Sequence, residues 1–598
     1  MALAACRRRR FTVLGTLALA LVPAAASLAG DGDAAATTVF VNAHVFTAEP
    51  SALYAQAVAV RGERILAVGE RGAVVAAAGS AARLVDLHGG FLMPGLIDAH
   101  AHPIGSRLVL GGGYGLVMAN FPDAGGPLSG LLQFVARTVD QNTSRFGDTV
   151  IVNGVDIGYW SQAQDIDAAL SAGRFAALPI VLLGNDGHTA WANAPARARA
   201  GITAEFLRGL APQDRAHYGC SAAFEPNGFV VDAGLTRLHQ SLPAPAPDLA
   251  LAAGRAGVRA MNALGITAWL DAAVAGVVGG DLPLTLDDPG ALPVYRELSR
   301  RGELTAHVAA LPVIDPAGGV QQIDVMQALQ RQYRDVANLT LPGIKIFADG
   351  VVEFPSQTAA LTRPYRNTGR LVPSNLAPER FAQLVTEADR RGLIVHVHAI
   401  GDQAVKAALD AFGAARAENP QGRLPHSLTH AQFVDPEDWP RFAQYRVIAV
   451  LQLLWALADP STNEVVRPYI DPTIYPLMYP ARSLLESGAT IAGASDWPVS
   501  SADPFEAMAQ AQTRIGPQGV LDAAQRMPRE AMLLAYTRNA AQVLDQLDTI
   551  GSLAPGKRAD LVLVDRDVLS VPAEDLRQAK VLWTMFGGTL VYEAPAAR

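Results

Sequence analysis

The sequence has 598 residues and a formal net charge of −8; half of the residues are hydrophobic and only 17% are charged. This composition excludes a disordered chain. The absence of a basic stripe or an aromatic-rich cluster excludes a nucleic-acid-binding protein. Long α/β barrels routinely form one domain, so the length does not by itself imply several domains.

The first 29 residues predict a cleaved signal peptide. Residues 7–10 are four arginines, residues 11–22 are a largely apolar stretch, and Ser27-Leu28-Ala29 is a small-residue cleavage site. An apolar stretch of that length is shorter than the roughly 20 residues that span a bilayer, so we expect no stable membrane insertion after cleavage. Residues 8–11 are also typical of a twin-arginine signal, and an ordinary secretion signal is the alternative. We therefore expect an exported protein, periplasmic or extracellular.

The two ends of the remaining chain predict short antiparallel strands. Residues 38–95 alternate short β-like runs with turns, and residues 549–595 repeat that style in ADLVLVDRD and TLVYEA. We expect both ends to pair into one small composite β-sandwich.

The central part of the chain predicts a barrel with an insertion. In residues 96–548, strand-like runs alternate with helical runs such as PERFAQLVTEADRRG, which is the pattern of βαβ units. The expected fold is therefore α/β, a (β/α)8 TIM barrel. The stretch from about 105 to 250 is too long for one connection between a strand and its helix, so we expect an inserted subdomain there. Binding residues in such a subdomain would come from loops over the barrel mouth.

Metal-ligand residue types follow short β-like runs along this central part. They are His100, His102, Lys345, His398, His430 and Asp496. The active site of a (β/α)8 barrel lies at the C-terminal ends of its strands, so ligand types that recur once per strand predict a metal site. Each residue alone has a simpler interpretation, such as a solvated lysine, a helix cap or a turn, and only the ordered set favours the metal site.

The histidines predict the first ligands. Side chains at i and i+2 of a strand share a face, so His100 and His102 can bind one ion. His398 and His430 would complete a second site, and His396, on the same strand face as His398, competes with it. Neutral imidazoles favour zinc over iron, manganese or nickel. We expect one or two divalent ions per chain, with zinc as the first choice.

Lys345 and Asp496 extend this interpretation. An ammonium repels cations, but a lysine buried beside metals can lose its proton, and the free amine can add carbon dioxide to form a carbamate that bridges two ions. Asp496 would bind metal through one oxygen and take a proton from water with the other. Bound cations make hydroxide available near neutral pH, because they lower the pKa of water from about 15.7 to about 7.

Several longer motifs carry a family resemblance. They are MPGLIDAHAHP (93–103), DGHTAWANAPA (186–196), LGITAWLDA (264–272), IKIFADGVVE (344–353), HAIGDQAV (398–405), THAQFVDPED (429–438), RSLLESGATIAGASDWPVSSADP (482–504), YTRNAA (536–541) and IGSLAPGKRADLVLVD (550–565). From about residue 38 to residue 595 the chain resembles the amidohydrolase superfamily, in particular its N-substituted formamide deformylase-like branch of the amidohydrolase 3 type. The resemblance implies a distorted barrel with a small β-sandwich built from both termini.

The resemblance also implies roles for individual residues. His100, His102, His398 and His430 match the metal ligands and Asp496 the metal-linked base. Lys345 matches the fourth-strand position that is a carboxylated lysine in many members. The chain departs from the pattern at Leu270-Asp271, where the family often has a histidine before the aspartate, and at Gln403, where it has an arginine.

Substrate-binding candidates come from two segments of the expected inserted subdomain. Asp186, His188 and Trp191 resemble a family segment near the pocket, and the alternative is that they cap the following helix. Asp156 and Trp160, together with Tyr159, are candidates for lining an aromatic acyl or amine pocket, with ordinary packing as the alternative.

The expected reaction is hydrolysis of a C–N bond in an amide or an N-substituted formamide. Asp496 would deprotonate the attacking water and then protonate the leaving nitrogen, while the metal and a nearby histidine or tyrosine hold the oxyanion. The expected partner is a small-molecule amide. The sequence does not decide between a monomer and a homodimer. One alternative is a mononuclear deaminase of a heterocyclic amine. The other is a non-catalytic binding protein on the same fold, which would typically have lost its metal ligands.

Overall fold

The computed structural model describes part of the chain, namely residues 36–105, 111–122, 126–276, 284–316 and 318–595. The predicted signal peptide, residues 1–29, lies outside the described residues. No helix within the described ranges is long and apolar enough to cross a membrane.

Both ends of the chain contribute to two β-sheets. The four-stranded sheet has the order Arg64–Gly69, Ala57–Arg61, Thr37–Val41, Arg83–Asp86. The six-stranded sheet has the order Thr589–Glu593, Val581–Phe586, Leu561–Val564, Phe91–Pro94, His44–Phe46, Tyr54–Ala55. Antiparallel pairing of Leu561–Val564 with Phe91–Pro94 joins the two ends of the chain. Apolar side chains from both sheets, such as Val58, Leu92 and Leu561, pack into one core, as in a sandwich.

Eight parallel strands form the centre of the molecule. They are Leu96–Ala101, Ile266–Asp271, His307–Ala310, Gly343–Phe347, Ile394–Ala399, Ser427–His430, Ile448–Leu451 and Ile491–Gly493. Their residues are buried throughout, as is typical of parallel strands covered on both faces. We refer to them as the first to the eighth barrel strand in this order.

The eight strands form two sheets, one with the first to the third strand and one with the fourth to the eighth, and the two sheets meet at both edges. The third and fourth strands meet where the backbone N–H of Lys345 donates to the carbonyl oxygen of Pro312 at 2.9 Å. The eighth and first strands meet where the N–H of Asp496 donates to the oxygen of His100 at 2.8 Å. This arrangement confirms the predicted α/β class and is consistent with a distorted barrel.

The fourth strand shows one source of the distortion. A short segment, Leu339–Thr340, pairs with the third strand, whereas Gly343–Phe347 pairs with the fifth strand. Pro342 lies between the two segments, and because proline has no N–H it cannot continue the hydrogen-bond ladder. The strand is therefore split just before Lys345.

Helices cover the outside of the barrel. They are Pro247–Ala263, Leu292–Arg300, Gln322–Tyr333, Pro378–Arg390, Asp402–Glu418, Trp439–Tyr445, Pro460–Asn463, Ala481–Glu486, Pro504–Thr513, Arg529–Ala535 and Arg538–Val543. Pro378–Arg390 shows why they form: proline occupies its first turn, where the lost N–H costs nothing, and Phe381, Leu384, Val385 and Ala388 are buried on one face at helical spacing.

An inserted subdomain lies between the first barrel strand and the helix Pro247–Ala263. Its sheet has the order Tyr218–Cys220, Pro226–Val231, Thr189–Ala192, Ile180–Gly184, Thr149–Val155, Arg145–Phe146. Its helices are Gly112–Val117, Leu128–Asp140, Ala163–Leu170, Ala194–Arg199, Ala204–Gly209, Pro212–Arg215 and Ala233–Ser241. Further elements are the helix Arg71–Ala78, which packs on the four-stranded sheet, and the hairpin Ile515–Gly516 with Gly519–Val520. Short 3-10 helices are Ile157–Gln162, Gly173–Phe175, Leu453–Trp455, Tyr475–Leu477, Ala523–Gln525 and Glu574–Gln578.

Candidate metal centre and substrate cavity

A cavity of about 400 Å³ lies at the C-terminal ends of the barrel strands, between the barrel and the inserted subdomain. One wall, which we name the barrel wall, consists of His100, His102, His398, His430 and Asp496. The opposite wall, the insert wall, contains Asp186, His188 and Asp232. Enzymes with a (β/α)8 barrel have their active sites at this end of the strands.

Three side chains of the barrel wall converge on one point. His100 Nε2 and His102 Nε2 lie 3.2 and 3.1 Å from the same oxygen, Oδ1 of Asp496. Two ligands of one tetrahedral zinc, each bound at about 2.0–2.1 Å, lie roughly 3.3 Å apart. The distance from Asp496 Oδ1 to each histidine nitrogen therefore fits a pair of ligands on one ion. Asp496 holds this position with φ +59°, a left-handed conformation that is unfavourable for a non-glycine residue and typical of functional sites.

His430 and His398 extend the cluster. Ligand atoms of His100, His430 and Asp496 all lie within 4.8 Å of one another, and the ring centroids of His398 and His430 are 4.5 Å apart. His398 Nε2 lies 3.0 Å from the carbonyl oxygen of Gly350, so its Nδ1 is the nitrogen left to bind a metal. The ring of Trp455 stacks on His430 with centroids 5.7 Å apart and holds that imidazole in place.

The structure separates His398 from its competitor His396. His396 is fully buried and does not line the cavity. Its Nε2 lies 2.6 Å from Nδ1 of His100, and its Nδ1 lies 2.7 Å from Oγ of Ser427. Histidine ligands are usually oriented by a partner on their second nitrogen. His396 is the partner that orients His100 through its Nδ1, whereas His398 faces the cavity.

The electrostatics of the barrel wall suit a cation. Burial is the main cause that holds the pKa of His100 and of His398 well below the usual range, and the charge of Lys345 is the next cause. Burial and the neighbouring His398 lower the pKa of His430 in the same way. Burial alone would raise the pKa of Asp496, but the hydrogen bond with His102 and nearby positive charges keep that pKa below its usual value. Neutral imidazoles and an ionised carboxylate are the forms that bind metal.

Lys345 lies on the fourth barrel strand beside these histidines. Its side chain is fully buried, and its Nζ has no hydrogen-bond partner among the described residues. The nitrogen lies 4.6 Å from the centre of the Phe347 ring. Burial lowers the pKa of Lys345 to about 7, so a large fraction of the side chain is a neutral amine at neutral pH.

The donor set fits a divalent metal. Within the described part of the chain, Nδ1 of His430 and Nζ of Lys345 are buried without a hydrogen-bond partner. Buried polar groups are normally satisfied, so each exception requires an explanation. Imidazole nitrogens together with a carboxylate oxygen are typical zinc ligands, and a bound ion next to them would account for the cluster.

The insert wall is built around His188. Asp186 Oδ1 accepts hydrogen bonds from the backbone N–H of His188 and of Thr189 at 3.1 and 3.0 Å, and from Oγ1 of Thr189 at 2.8 Å. His188 Nδ1 lies 2.7 Å from Oδ1 of Asp232. Burial tends to lower the pKa of His188, but Asp232 and Asp186 outweigh it and raise that pKa to about 9. The ring is therefore positively charged at neutral pH.

Three predicted substrate-binding residues do not line the described cavity. Asp156 caps a short helical turn by accepting from the N–H of Gly158 at 2.9 Å. The indole N–H groups of Trp160 and Trp191 donate to Thr189 Oγ1 and to the oxygen of Asn227 at 2.7 and 2.8 Å. Buried tryptophans need such partners, and both rings belong to the core of the inserted subdomain. Asp186 and His188 are the two candidates that the structure brings to the cavity.

The two departures from the family pattern also lie away from the described cavity lining. Leu270 packs in the barrel core, and Asp271 is buried and accepts a 2.7 Å hydrogen bond from the hydroxyl of Tyr295. Gln403 lies in the first turn of the helix Asp402–Glu418.

Sequence reasoning missed Asp232 as a partner of His188. An aspartate directly before a helix indicates an N-cap, and Asp232 precedes the helix Ala233–Ser241. In the structure its side chain makes no capping bond and turns to His188 instead. Only the pairing of two distant strands reveals this contact, because no local motif surrounds Asp232.

Comparison with solved structures shows the class of fold. An uncharacterized metal-dependent hydrolase from Pyrococcus horikoshii superposes with a TM-score of 0.67 at 21% identity, covering 90% of this chain and 99% of that one. At this level of identity the similarity shows the fold alone.

Two curated relatives align over most of the chain. Protein LONG AFTER FAR-RED 3 of Arabidopsis thaliana is 27% identical over 578 residues, 93% of this chain and 92% of that protein. The N-substituted formamide deformylase of Arthrobacter pascens is 25% identical over 571 residues, 93% of this chain and 98% of that protein.

The model of the Amidohydrolase family matches residues 83–592. Because the match covers more than half of the sequence, the chain belongs to this family. The predicted superfamily is confirmed, and with it the expectation of a hydrolytic enzyme that acts on carbon–nitrogen bonds.

Proposed function

We propose that the protein is a binuclear metal-dependent hydrolase that cleaves the C–N bond of an amide or an N-substituted formamide. The observation that supports this most strongly is the convergence of His100, His102 and Asp496 at 3.1 to 3.2 Å beside the buried and unpartnered Lys345. The name of the deformylase relative supports the substrate class, since that protein acts on N-substituted formamides.

Zinc is the proposed metal because the donors are imidazole nitrogens and a carboxylate oxygen. His100, His102 and Asp496 would hold one ion, and His398 and His430 the other. A divalent cation supplies Lewis acidity to a carbonyl oxygen and lowers the pKa of water from 15.7 to about 7.

Lys345 would join the two sites as a carbamate. Its neutral amine adds carbon dioxide, forming one N–C bond and releasing one proton, and the product has two oxygens with a shared negative charge. The carbamate would place an anion beside two cations, whereas the ammonium form of Lys345 would repel them.

Asp496 is the proposed base and acid. Its Oδ1 faces His100 and His102, and Oδ2 is left for the attacking water. As the water oxygen bonds to the carbonyl carbon, Asp496 takes its proton. When the C–N bond breaks, Asp496 delivers that proton to the leaving nitrogen, so the products are an amine and a carboxylic acid. His396 keeps His100 oriented during these steps.

A substrate panel tests this function. Metal-loaded protein would be incubated with N-benzylformamide, N-benzylacetamide and cytosine, and benzylamine, formate, acetate and ammonia would be quantified. We expect benzylamine and the matching acid in equal amounts, and an initial rate lower by at least about 100-fold for Asp496→Asn. Ammonia from cytosine, without benzylamine, would replace this proposal with the mononuclear deaminase. No product from any compound would favour a non-catalytic binding protein.

We also propose that the protein is exported after cleavage of residues 1–29, to the periplasm or outside the cell, and that its partner is a small molecule. The arginines at positions 7–10, the apolar stretch and Ser27-Leu28-Ala29 support export. N-terminal sequencing of the protein from its native host tests it: a first residue near position 30 is expected, and an intact Met1 would contradict it.

A further inference from the structure

The inserted subdomain reaches the cavity through a histidine and an aspartate that are fixed by strand pairing. His188 precedes the strand Thr189–Ala192, and Asp232 follows the strand Pro226–Val231. These strands are antiparallel, with Thr189 opposite Val231, and the N–H of Asp232 donates to the oxygen of His188 at 3.0 Å. The side-chain contact of 2.7 Å between His188 and Asp232 is therefore built on a backbone contact between the same two residues.

Asp232 is held by the barrel as well. Its carboxylate interacts with the hydroxyl of Thr358, and a Cβ added to Gly350 would lie 2.7 Å from its Oδ2. Gly350 and Thr358 follow the fourth barrel strand, which carries Lys345. The backbone of Asp232 has φ +47° and ψ −107°, an unfavourable conformation for a residue with a side chain. Conformations of this kind persist only where the surroundings impose them, and they cluster at functional sites.

His188 faces the barrel wall across the cavity. Its ring centroid lies 5.5 Å from that of His398, and its side chain lines the cavity. Because Nδ1 is directed to Asp232, Nε2 is on the other edge of the ring. A carbonyl group placed for attack at the barrel wall would lie between the two walls, in the cavity that His188 lines.

We propose that His188 is a catalytic residue supplied by the insert, that its Nε2 hydrogen bonds the carbonyl oxygen of the substrate, and that Asp232 is the positioning residue that fixes its ring. This inference rests on the proposed amide hydrolysis. The carbonyl oxygen gains negative charge as the water oxygen bonds to carbon, and it loses that charge when the C–N bond breaks. A fixed donor at this oxygen stabilises the charged state more than the ground state.

Two probes test the proposal: kinetics with N-benzylformamide, and calorimetric binding of methylphosphonate as a tetrahedral anion. For His188→Gln we expect kcat/KM to fall roughly 100-fold and methylphosphonate binding to weaken at least about tenfold, while metal content and Tm stay at wild-type values. His44→Gln is the matched control, because His44 also faces an aspartate, Asp567, at 3.5 Å but on the exposed surface.

A double-variant cycle separates a positioning role of Asp232 from a structural one. If Asp232 acts through His188, Asp232→Asn lowers kcat about tenfold on its own and has no further effect in a His188→Gln background. A merely structural role would lower Tm and would add to the effect of His188→Gln.

Three results would overturn the proposal. The first is a His188→Gln variant within twofold of wild type in both kcat/KM and methylphosphonate affinity. The second is loss of metal from this variant, which would make His188 a ligand. The third is a wild-type protein that responds to neither probe. If wild type binds methylphosphonate through His188 but hydrolyses no amide, the proposed reaction fails while the role of His188 in binding an oxyanion stands.

Discussion

The two walls of the cavity are built in different ways. The residues of the barrel wall come from the ends of four parallel strands, with His100 and His102 at the end of the same strand. The two walls share no sequence segment. The insert wall depends on one turn, Asp186 to Thr189, and on one antiparallel pairing that brings in Asp232. In the proposed function, the barrel wall carries the bond-breaking chemistry, and the insert wall positions and stabilises what binds there.

Metal removal should have the largest effect, because it disables the whole barrel wall at once. Dialysis against a chelator should reduce amine release from N-benzylformamide to the background rate, and zinc should restore it. The Tm should also fall, since an ion that binds only the folded state stabilises it. Full activity of a protein shown to be metal-free would contradict the proposed role of the barrel wall.

Asp496→Asn should have the next largest effect. An amide has nearly the shape of the carboxylate but cannot accept the proton of the attacking water, so we expect kcat to fall roughly 10²- to 10⁴-fold. Initial rates at saturating substrate measure this, with Tm as the check on folding. A loss of less than about fivefold would assign the base to another residue.

Gly112→Ala disturbs the contact between the insert helix Gly112–Val117 and Trp497 of the barrel without replacing a proposed metal ligand. A Cβ on Gly112 would lie 2.4 Å from ring atoms of Trp497, the residue after Asp496, so the ring and its neighbour must shift. We expect kcat/KM to fall roughly tenfold to a hundredfold with the metal retained, because small displacements at a reacting centre are costly.

Gly130→Ala is the matched control for that variant. Gly130 lies in the insert helix Leu128–Asp140, and a Cβ there meets nothing within 4 Å. Alanine is the better helix former by up to about 1 kcal/mol, so the control should keep its activity and its stability. Equal losses in both variants would mean that the insert is generally intolerant of added methyl groups, and the proposed link to Trp497 would fail.

Trp191→Phe should have the smallest effect on catalysis. The indole is fully buried and donates to Asn227, so the variant loses a hydrogen bond and leaves a void. We expect a loss of about 1–3 kcal/mol in the free energy of unfolding, measured in a denaturant titration, with little change in KM. A KM raised more than tenfold at unchanged stability would return Trp191 to the substrate pocket.

The sequence predicted the barrel wall better than the insert wall. A ligand that follows a β-like run is at the correct end of a barrel strand by topology alone, and His100, His102, His430 and Asp496 lie together for that reason. The choice between His396 and His398 was open because both side chains share a strand face. His398 is nearer the strand end and meets the cavity, whereas His396 lies one layer deeper, behind His100.

The insert wall shows where sequence patterns stop being informative. The motif at residues 186–196 indicates His188, but its partner Asp232 is 44 residues away. No local signal predicts which strands of an irregular sheet will pair. Trp160 and Trp191 were candidates because aromatic rings line many pockets. Aromatic rings also fill hydrophobic cores, and only the packing of the subdomain shows whether a given ring lies in a pocket or in a core.

The most direct test of the binuclear centre is the metal content of the purified protein, measured by mass spectrometry beside that of Lys345→Met. Methionine fills a similar volume without an amine, so it removes the proposed bridge with little change in packing. We expect about two ions per wild-type chain and one or fewer in the variant. One ion in both proteins would contradict the carbamate bridge, and no ion in wild type after zinc reconstitution would contradict the metal centre itself.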